Sequence, residues 1–375
     1  MAPSGAGPYR VMLVDDSAVI RGLLARALKD DPTIEVTASV GDGLAAVERA
    51  KRGDIEVVVL DIEMPRMDGI EALPKLLAID KDLQVIMAST LTQRNAEISL
   101  KALALGAKDY LPKPSSSREM IGPADFNSEL IARIKGFGQQ RRRRKAEPAP
   151  SPTARPLAEP AKTAASRPAS TPAAVSLRPA VTTVPEVIAI GSSTGGPQAL
   201  FEVLKTLGSG LRQPIFITQH MPATFTKILA EHIKTRTGLN AAEAIDGEPV
   251  MGGRVYVAPG NYHMVIKVKD GTKTIRLNQD PPENFCRPSV DPMLRSLVDA
   301  YRGRITVAIL TGMGHDGREG CRGVVAAGGQ VIGQDEASSV VWGMPGAVVN
   351  AGLCAAVLPL GDIGAKLKSI ATTGR

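Results

Sequence analysis

The 375-residue sequence predicts an α/β protein built of two doubly wound, parallel-sheet domains joined by a disordered linker. Three observations carry this expectation. Residues 8–138 alternate short apolar runs with amphipathic stretches, the pattern of strands separated by helices. Residues 139–184 change character to an arginine run followed by sequence rich in proline and alanine and free of aromatic residues. In residues 185–372, three apolar runs each lead into one polar residue of catalytic type, as happens where parallel strands deliver side chains from their carboxyl ends.

Length and composition set the bounds. A chain of this size exceeds one ordinary core and suggests about two or three domains. The hydrophobic share of 43% is ample for burying them. No apolar run reaches the roughly 18 residues that a membrane helix needs, and the start MAPSGAGPYR lacks the apolar region of a signal peptide. A soluble cytoplasmic protein without membrane insertion is expected. The net charge of +7 divides into −3 for residues 1–138, +7 for 139–185 and +3 for the rest, so the excess is a property of the linker and not of a nucleic-acid-binding face. The three cysteines, Cys286, Cys321 and Cys354, have neither CxxC spacing nor an even number and read as ordinary thiols of core or surface.

In the first domain, strand-like YRVMLVD, IEVTASV, VVVLDI, QVIMAS and DYLPKP alternate with helix-like AVIRGLLARALKD, GLAAVERAK, GIEALPKLLAI and AEISLKALALG. Asp15 and Asp16 end the first strand and Asp61 the third. Three carboxylates brought together repel unless a divalent cation lies among them, and hard oxygen ligands with open positions suit Mg²⁺. Asp61 is then placed to act as a nucleophile toward a phosphoryl group, giving an aspartyl phosphate. Ser89, at the end of another strand, and Lys113, before Pro114, supply a hydroxyl and a cation for the new phosphate oxygens.

Over its whole length this domain resembles the response-regulator receiver family, through VDD, LDIEMPRMDG, MAST and YLPKP. The resemblance implies a flavodoxin-like fold, Asp61 as phosphoacceptor, and Asp15, Asp16, Asp61 and the backbone of Glu63 as Mg²⁺ ligands. It also implies Ser89, with Thr90 beside it, as switch hydroxyl, Tyr110 as switch aromatic, and Lys113 as phosphate contact across a cis peptide to Pro114.

The linker opens with Arg141 to Lys145 and continues through nine prolines to Pro185. Such a segment buries too little surface to fold and is expected to be an extended, partly polyproline-like tether. The arginine run reads as a solubilising helix end, with contact to an acidic partner or a membrane surface as the alternative.

The second domain begins with EVIAIGSSTGGPQALFEVL. Its Gly191-Ser192-Ser193-Thr194-Gly195 fits the G-x-S-x-G elbow, whose small flanking residues allow a sharp turn from strand to helix with the nucleophile exposed. That register selects Ser193, because Ile190 stands where Ser192 would need its glycine. The helix that follows aims its N-terminal amides at the same place, where an oxyanion develops. A serine hydroxyl needs a base and the base an orienting carboxylate; His220 after PIFITQ and Asp316 after VAILTGMGH are the candidates. Ser, His and Asp together point to a hydrolase. Their order differs from the Ser, Asp, His of α/β-hydrolases, so a convergent triad on another doubly wound sheet is expected. Of the other histidines, His232 falls on a helix and reads as surface or packing. His263 is expected in a loop, lining a site or holding structure, and His315 stands close enough to Asp316 to perturb it. No pair has zinc-ligand spacing.

The chain as a whole resembles the chemotaxis-type protein-glutamate methylesterases, through IAIGSSTGGP, ITQHMP, VAPGNYHM, RPSVDPM, ILTGMGHDG and DEASSVVWGMP. The resemblance implies a Rossmann-like catalytic domain with Ser193 as nucleophile, His220 as general base and acid, and Asp316 as the carboxylate orienting it. Thr194 and the backbone of Met313 are implied near the nucleophile and the oxyanion. Where the family has Asn before the Asp, this chain has His315. The implied reactions are hydrolysis of glutamate γ-methyl esters and deamidation of glutamines on chemoreceptors, with no cofactor at the esterase site. The implied partners are methyl-accepting receptors as substrate and a histidine kinase as phosphodonor, with the receiver inhibiting until phosphorylated. A response regulator whose second domain only binds DNA or a partner, and an esterase for small molecules, are the competing readings.

Overall fold

In the computed structural model, residues 7–90, 92–113, 124–146 and 177–372 are described. The first domain is a five-stranded parallel sheet of β1 (Tyr9–Val14), β2 (Ile34–Val40), β3 (Val57–Asp61), β4 (Gln84–Ser89) and β5 (Asp109–Pro112), in the order β2-β1-β3-β4-β5. The central β3 is buried throughout, which is why it reads as an unbroken apolar run with no polar alternation. Helices α1 (Ala18–Lys29), α2 (Gly43–Ala50), α3 (Gly69–Ile79) and α4 (Gln93–Leu105) start where Ser17, Asp42, Asp68 and Thr92 accept a backbone amide from the first turn. The strand order reverses direction at β1 and β3, so Asp15, Asp16 and Asp61 share the crevice at that switch point.

A fifth helix, α5 (Ala124–Ala146), corrects the expected domain boundary. It carries straight through position 139 and includes the whole arginine run. Only the end of the run is solvated, at Arg144 and Lys145: Arg141 is 3% exposed and pairs with Asp80, while Arg142 pairs with Glu56 and lies 4.2 Å over the Tyr9 ring. Composition suggested a tether because the carboxylates that neutralise these arginines come from distant segments. Residues 147–176 of the expected linker lie outside the described residues, as does Pro114.

The second domain centres on a seven-stranded, all-parallel sheet in the order β14-β13-β12-β6-β7-β9-β8. Its strands are β6 (Val187–Ser192), β7 (Ile215–Gln219), β8 (Asn240–Glu243), β9 (Arg254–Val257), β12 (Ile305–Ile309), β13 (Gln330–Gln334) and β14 (Cys354–Leu358). An antiparallel hairpin of β10 (His263–Lys269) and β11 (Thr272–Asn278) stands apart from it. The helices are α6 (Gly196–Leu207), α7 (Ala223–Thr237), α8 (Val290–Tyr301), α9 (Arg318–Ala326), α10 (Met344–Asn350) and α11 (Leu360–Thr372). The chain runs from β6 outward to β7 on one side and returns to β12 on the other, so the crevice opens beside β6.

Candidate active site and acidic cluster

Ser193, His220 and Asp316 leave the carboxyl ends of three neighbouring strands, β6, β7 and β12, as the apolar runs predict. The His220 amide bonds to Ser192 O at 3.1 Å, and the Ser193 amide to Thr311 O at 3.0 Å, which pins the turn to both neighbouring strand ends. His220 Nε2 lies 2.7 Å from Asp316 Oδ2. Asp316 is 1% exposed and also accepts from the amides of Val290, Asp291 and Gly317, from Ser289 Oγ and from Asn284 Nδ2. Burial alone would raise its carboxyl, but the bonds from His220, Val290 and Ser289 outweigh it and hold Asp316 near 2. Burial would likewise lower His220, yet the bonds to Asp316 and Cys286 push the imidazole up to about 10.

Glycine shapes the space around the nucleophile. Gly195 takes a left-handed φ of +74° that turns the chain into α6. A Cβ on Gly312 would lie 2.8 Å from the Ser193 Cβ, so the strand end after β12 is in close contact with the elbow. The next amide, Met313, has no hydrogen-bond partner among the described residues. Thr194 is 2% exposed, and its buried hydroxyl is likewise without a hydrogen-bond partner.

Sequence reasoning missed several members of this site. Gln219, last residue of β7, donates to Ser193 O and His220 O and accepts from Ser192 Oγ, tying nucleophile and base to one frame. Asn284 and Ser289 come from the segment between β11 and α8, which has no periodicity to place it in space. Cys286 belongs to the same segment and is not the ordinary thiol expected: its Sγ lies 3.3 Å from His220 Nδ1. It follows two residues of positive φ, Asn284 and Phe285, a backbone feature that the sequence does not announce. His315 is exposed, and it is not among the groups that set the Asp316 charge. His263 is buried and structural, with Nδ1 accepting from Ser289 N, and His232 packs half-buried on α7.

In the first domain, Asp15, Asp16 and Asp61 bring one carboxylate oxygen each within 4.8 Å of one another. Lys113 Nζ reaches Asp15 at 2.6 Å and Asp61 at 2.7 Å. Burial and the neighbouring Asp15 charge, opposed by Lys113, push Asp61 up to about 6. Carboxylates crowded to that degree fit a hard divalent cation, and the Glu63 carbonyl accepts no hydrogen bond among the described residues. Ser89 is buried against Ser99 Oγ at 3.1 Å, whereas Thr90 is exposed and takes up Asn95.

A packed interface joins the two domains. Tyr110 stacks on Phe225 of α7 with centroids 4.3 Å apart. Asp109, itself bonded to Arg133, accepts from the Gly195 amide at the start of α6. Gln198 of α6 donates to Leu103 O and Ala107 O, and Arg143 donates to Glu336 O and Ala337 O.

Two family models match the chain, one in each domain. Residues 188–367 match the family described as CheB methylesterase, and residues 11–124 that described as response regulator receiver domain. A protein-glutamate methylesterase/protein-glutamine glutaminase of Paramagnetospirillum magneticum is 57% identical over 94% of this chain and 94% of its own. The protein of the same description from Azospirillum brasilense is 56% identical over 98% of this chain and 94% of its own. Among solved structures, the Thermotoga maritima CheB methylesterase catalytic domain matches at 39% identity and a TM-score of 0.49, over 50% of this chain and all of that one.

Proposed function

The chain belongs to the CheB methylesterase family and carries a receiver domain, and on that premise we propose that Ser193, His220 and Asp316 hydrolyse glutamate methyl esters on chemoreceptors. The observation that carries the assignment is the convergence of these three side chains from adjacent strand ends, with His220 Nε2 on a buried, ionised Asp316. With Nε2 committed to Asp316, Nδ1 is the nitrogen left to take the Ser193 proton. The hydroxyl oxygen attacks the ester carbonyl, and the oxyanion forms beside the Met313 amide and the N-terminal end of α6. Methanol leaves with the proton returned by His220. Water, activated by the same nitrogen, then frees the glutamate from the acyl-enzyme. A glutamine side chain follows the same course with ammonia as leaving group.

Regulation runs through Asp61, the phosphoacceptor, with a histidine kinase as donor. Asp15, Asp16, Asp61 and the Glu63 carbonyl would hold Mg²⁺, which neutralises phosphoryl oxygens when bound. Lys113 and Ser89 contact the phosphoryl group, and Tyr110, stacked on Phe225, is the switch aromatic. The receiver inhibits by gripping the start of α6, two residues past the nucleophile. Residues 8–138 with the rest of α5 form the receiver, and residues 185–372 the esterase domain. No described helix is long and apolar enough to cross a membrane, and the protein acts from the cytoplasm on the receptors' cytoplasmic helices.

The test is methanol release from methylated receptor membranes, for wild type and Ser193→Ala, with and without Mg²⁺ and a small phosphodonor. Release that increases with phosphodonor and vanishes in the variant is expected. No release under any condition would reject the esterase assignment.

A further inference from the structure

The base of the triad has two partners, and only one of them belongs to the triad. His220 Nε2 is on Asp316, while Nδ1 faces the Cys286 thiol at 3.3 Å. Among the described residues Ser193 Oγ makes no hydrogen bond to His220, so in this resting arrangement the thiol occupies the nitrogen that the nucleophile must reach. Cys286 is held there by reciprocal backbone bonds between Glu283 and Cys286, at 3.2 and 2.9 Å. It is half-buried at the crevice, unlike Cys321 and Cys354, which are 0% and 1% exposed in the core.

We propose that Cys286 is an oxidisable thiol through which hydroperoxides reversibly switch off this esterase, an inference that rests on the hydrolase reading above. An imidazole that donates Nε2–H to Asp316 can take the thiol proton at Nδ1 as the sulfur reacts, and Asp316 stabilises the imidazolium that forms. A thiolate, not a thiol, is the species that attacks peroxide. The sulfur attacks one peroxide oxygen, an S–O bond forms as the O–O bond breaks, and the departing hydroxide takes the proton from His220 to leave as water. Sulfur is oxidised to a sulfenic acid and the peroxide reduced. The new S–OH stands against His220 Nδ1, so the base is no longer open to the nucleophile. Attack by an external thiol followed by a second thiol restores Cys286. The buried cysteines lack this activation: burial pushes the Cys321 thiol well up and that of Cys354 to about 12.

The experiment treats the full chain with hydrogen peroxide, traps sulfenic acid with dimedone, and locates the label by peptide mass spectrometry alongside methanol release. Cys286 is expected to label at least tenfold more than Cys321 or Cys354, and His220→Gln to label at least fivefold more slowly. Wild-type release should fall at least tenfold and return with dithiothreitol. Cys286→Ser and Cys286→Ala, each compared with its own untreated rate, should lose less than twofold. Equal labelling of the three cysteines, full release at complete Cys286 labelling, or equal loss in both variants would overturn the proposal. Should untreated wild type release no methanol, the hydrolase reading fails, and the labelling ratios alone decide whether Cys286 is the activated thiol.

Discussion

Asp109 of the receiver accepts a hydrogen bond from the Gly195 amide at 3.1 Å, two residues beyond the nucleophile Ser193. The carboxylate is fully enclosed, with Arg133 donating to the same oxygen at 3.1 Å and the Tyr110 amide to the other, and it meets the positive end of α6. A regulatory domain thereby holds the same helix start that an oxyanion needs.

Replacing Asp109 with Ala removes the acceptor shared by the Gly195 amide and Arg133. A hydrogen bond contributes about 0.5–1.5 kcal/mol net, so basal methanol release without phosphodonor should rise about two- to tenfold. Stimulation by phosphodonor should shrink by the same factor. An unchanged basal rate in a folded variant would remove Asp109 from the restraint.

Acid and alkali act on the His220–Asp316 pair in opposite directions. His220 is raised from 6.5 to about 10, so its share of stability is complete below pH 6.5 and is lost as pH rises through 10. Asp316 is lowered from 3.8 to about 2, so its share is complete above pH 3.8 and is lost as pH falls through 2. Between those limits Asp316→Asn should cost on the order of 3 kcal/mol in denaturant unfolding, a difference that narrows toward pH 10. Cys286 is one of the groups raising His220, so in Cys286→Ser the alkaline rise of kcat/KM should begin at lower pH. A profile identical to wild type would show that Cys286 does not bear on the base.

At the acidic cluster, proton and cation compete for Asp61, whose carboxyl stands at about 6. Mg²⁺ affinity measured by calorimetry should fall about tenfold per pH unit below 6, one proton being displaced per ion bound. Asp61→Asn should abolish stimulation by phosphodonor, and Lys113→Ala should leave the aspartyl phosphate formed but uncoupled from methanol release. Stimulation that survives in Asp61→Asn would place the phosphoryl group elsewhere.

The parallel strands were legible because burial on both faces writes them as unbroken apolar runs, as in VVVLD, and their ends then name Asp61, Ser193, His220 and Asp316. The residues around Asp316 were not. Asn284, Cys286 and Ser289 reach it from a segment whose path is set by the packing of α8 against the β10–β11 hairpin, a tertiary fact with no local pattern. The arginine run of α5 misled for the same reason, since Asp80 and Glu56 lie some sixty and ninety residues away in sequence.

Gly312 offers a test of how tightly the elbow is built. A Cβ there would lie 2.4 Å from Met344 Sδ and 2.8 Å from Ser193 Cβ. The methionine chain can bend away, but Ser193 is fixed by its amide bond to Thr311 O and by Gln219 on its carbonyl. Gly312→Ala should therefore displace the nucleophile or the Met313 amide while costing only about 1–3 kcal/mol of stability. A displacement of about 1 Å at the reacting atoms costs about 100-fold in rate, so kcat should fall by that order with the fold retained in a thermal melt. A variant with full kcat would mean that Ser193 does not depend on this strand end for its position.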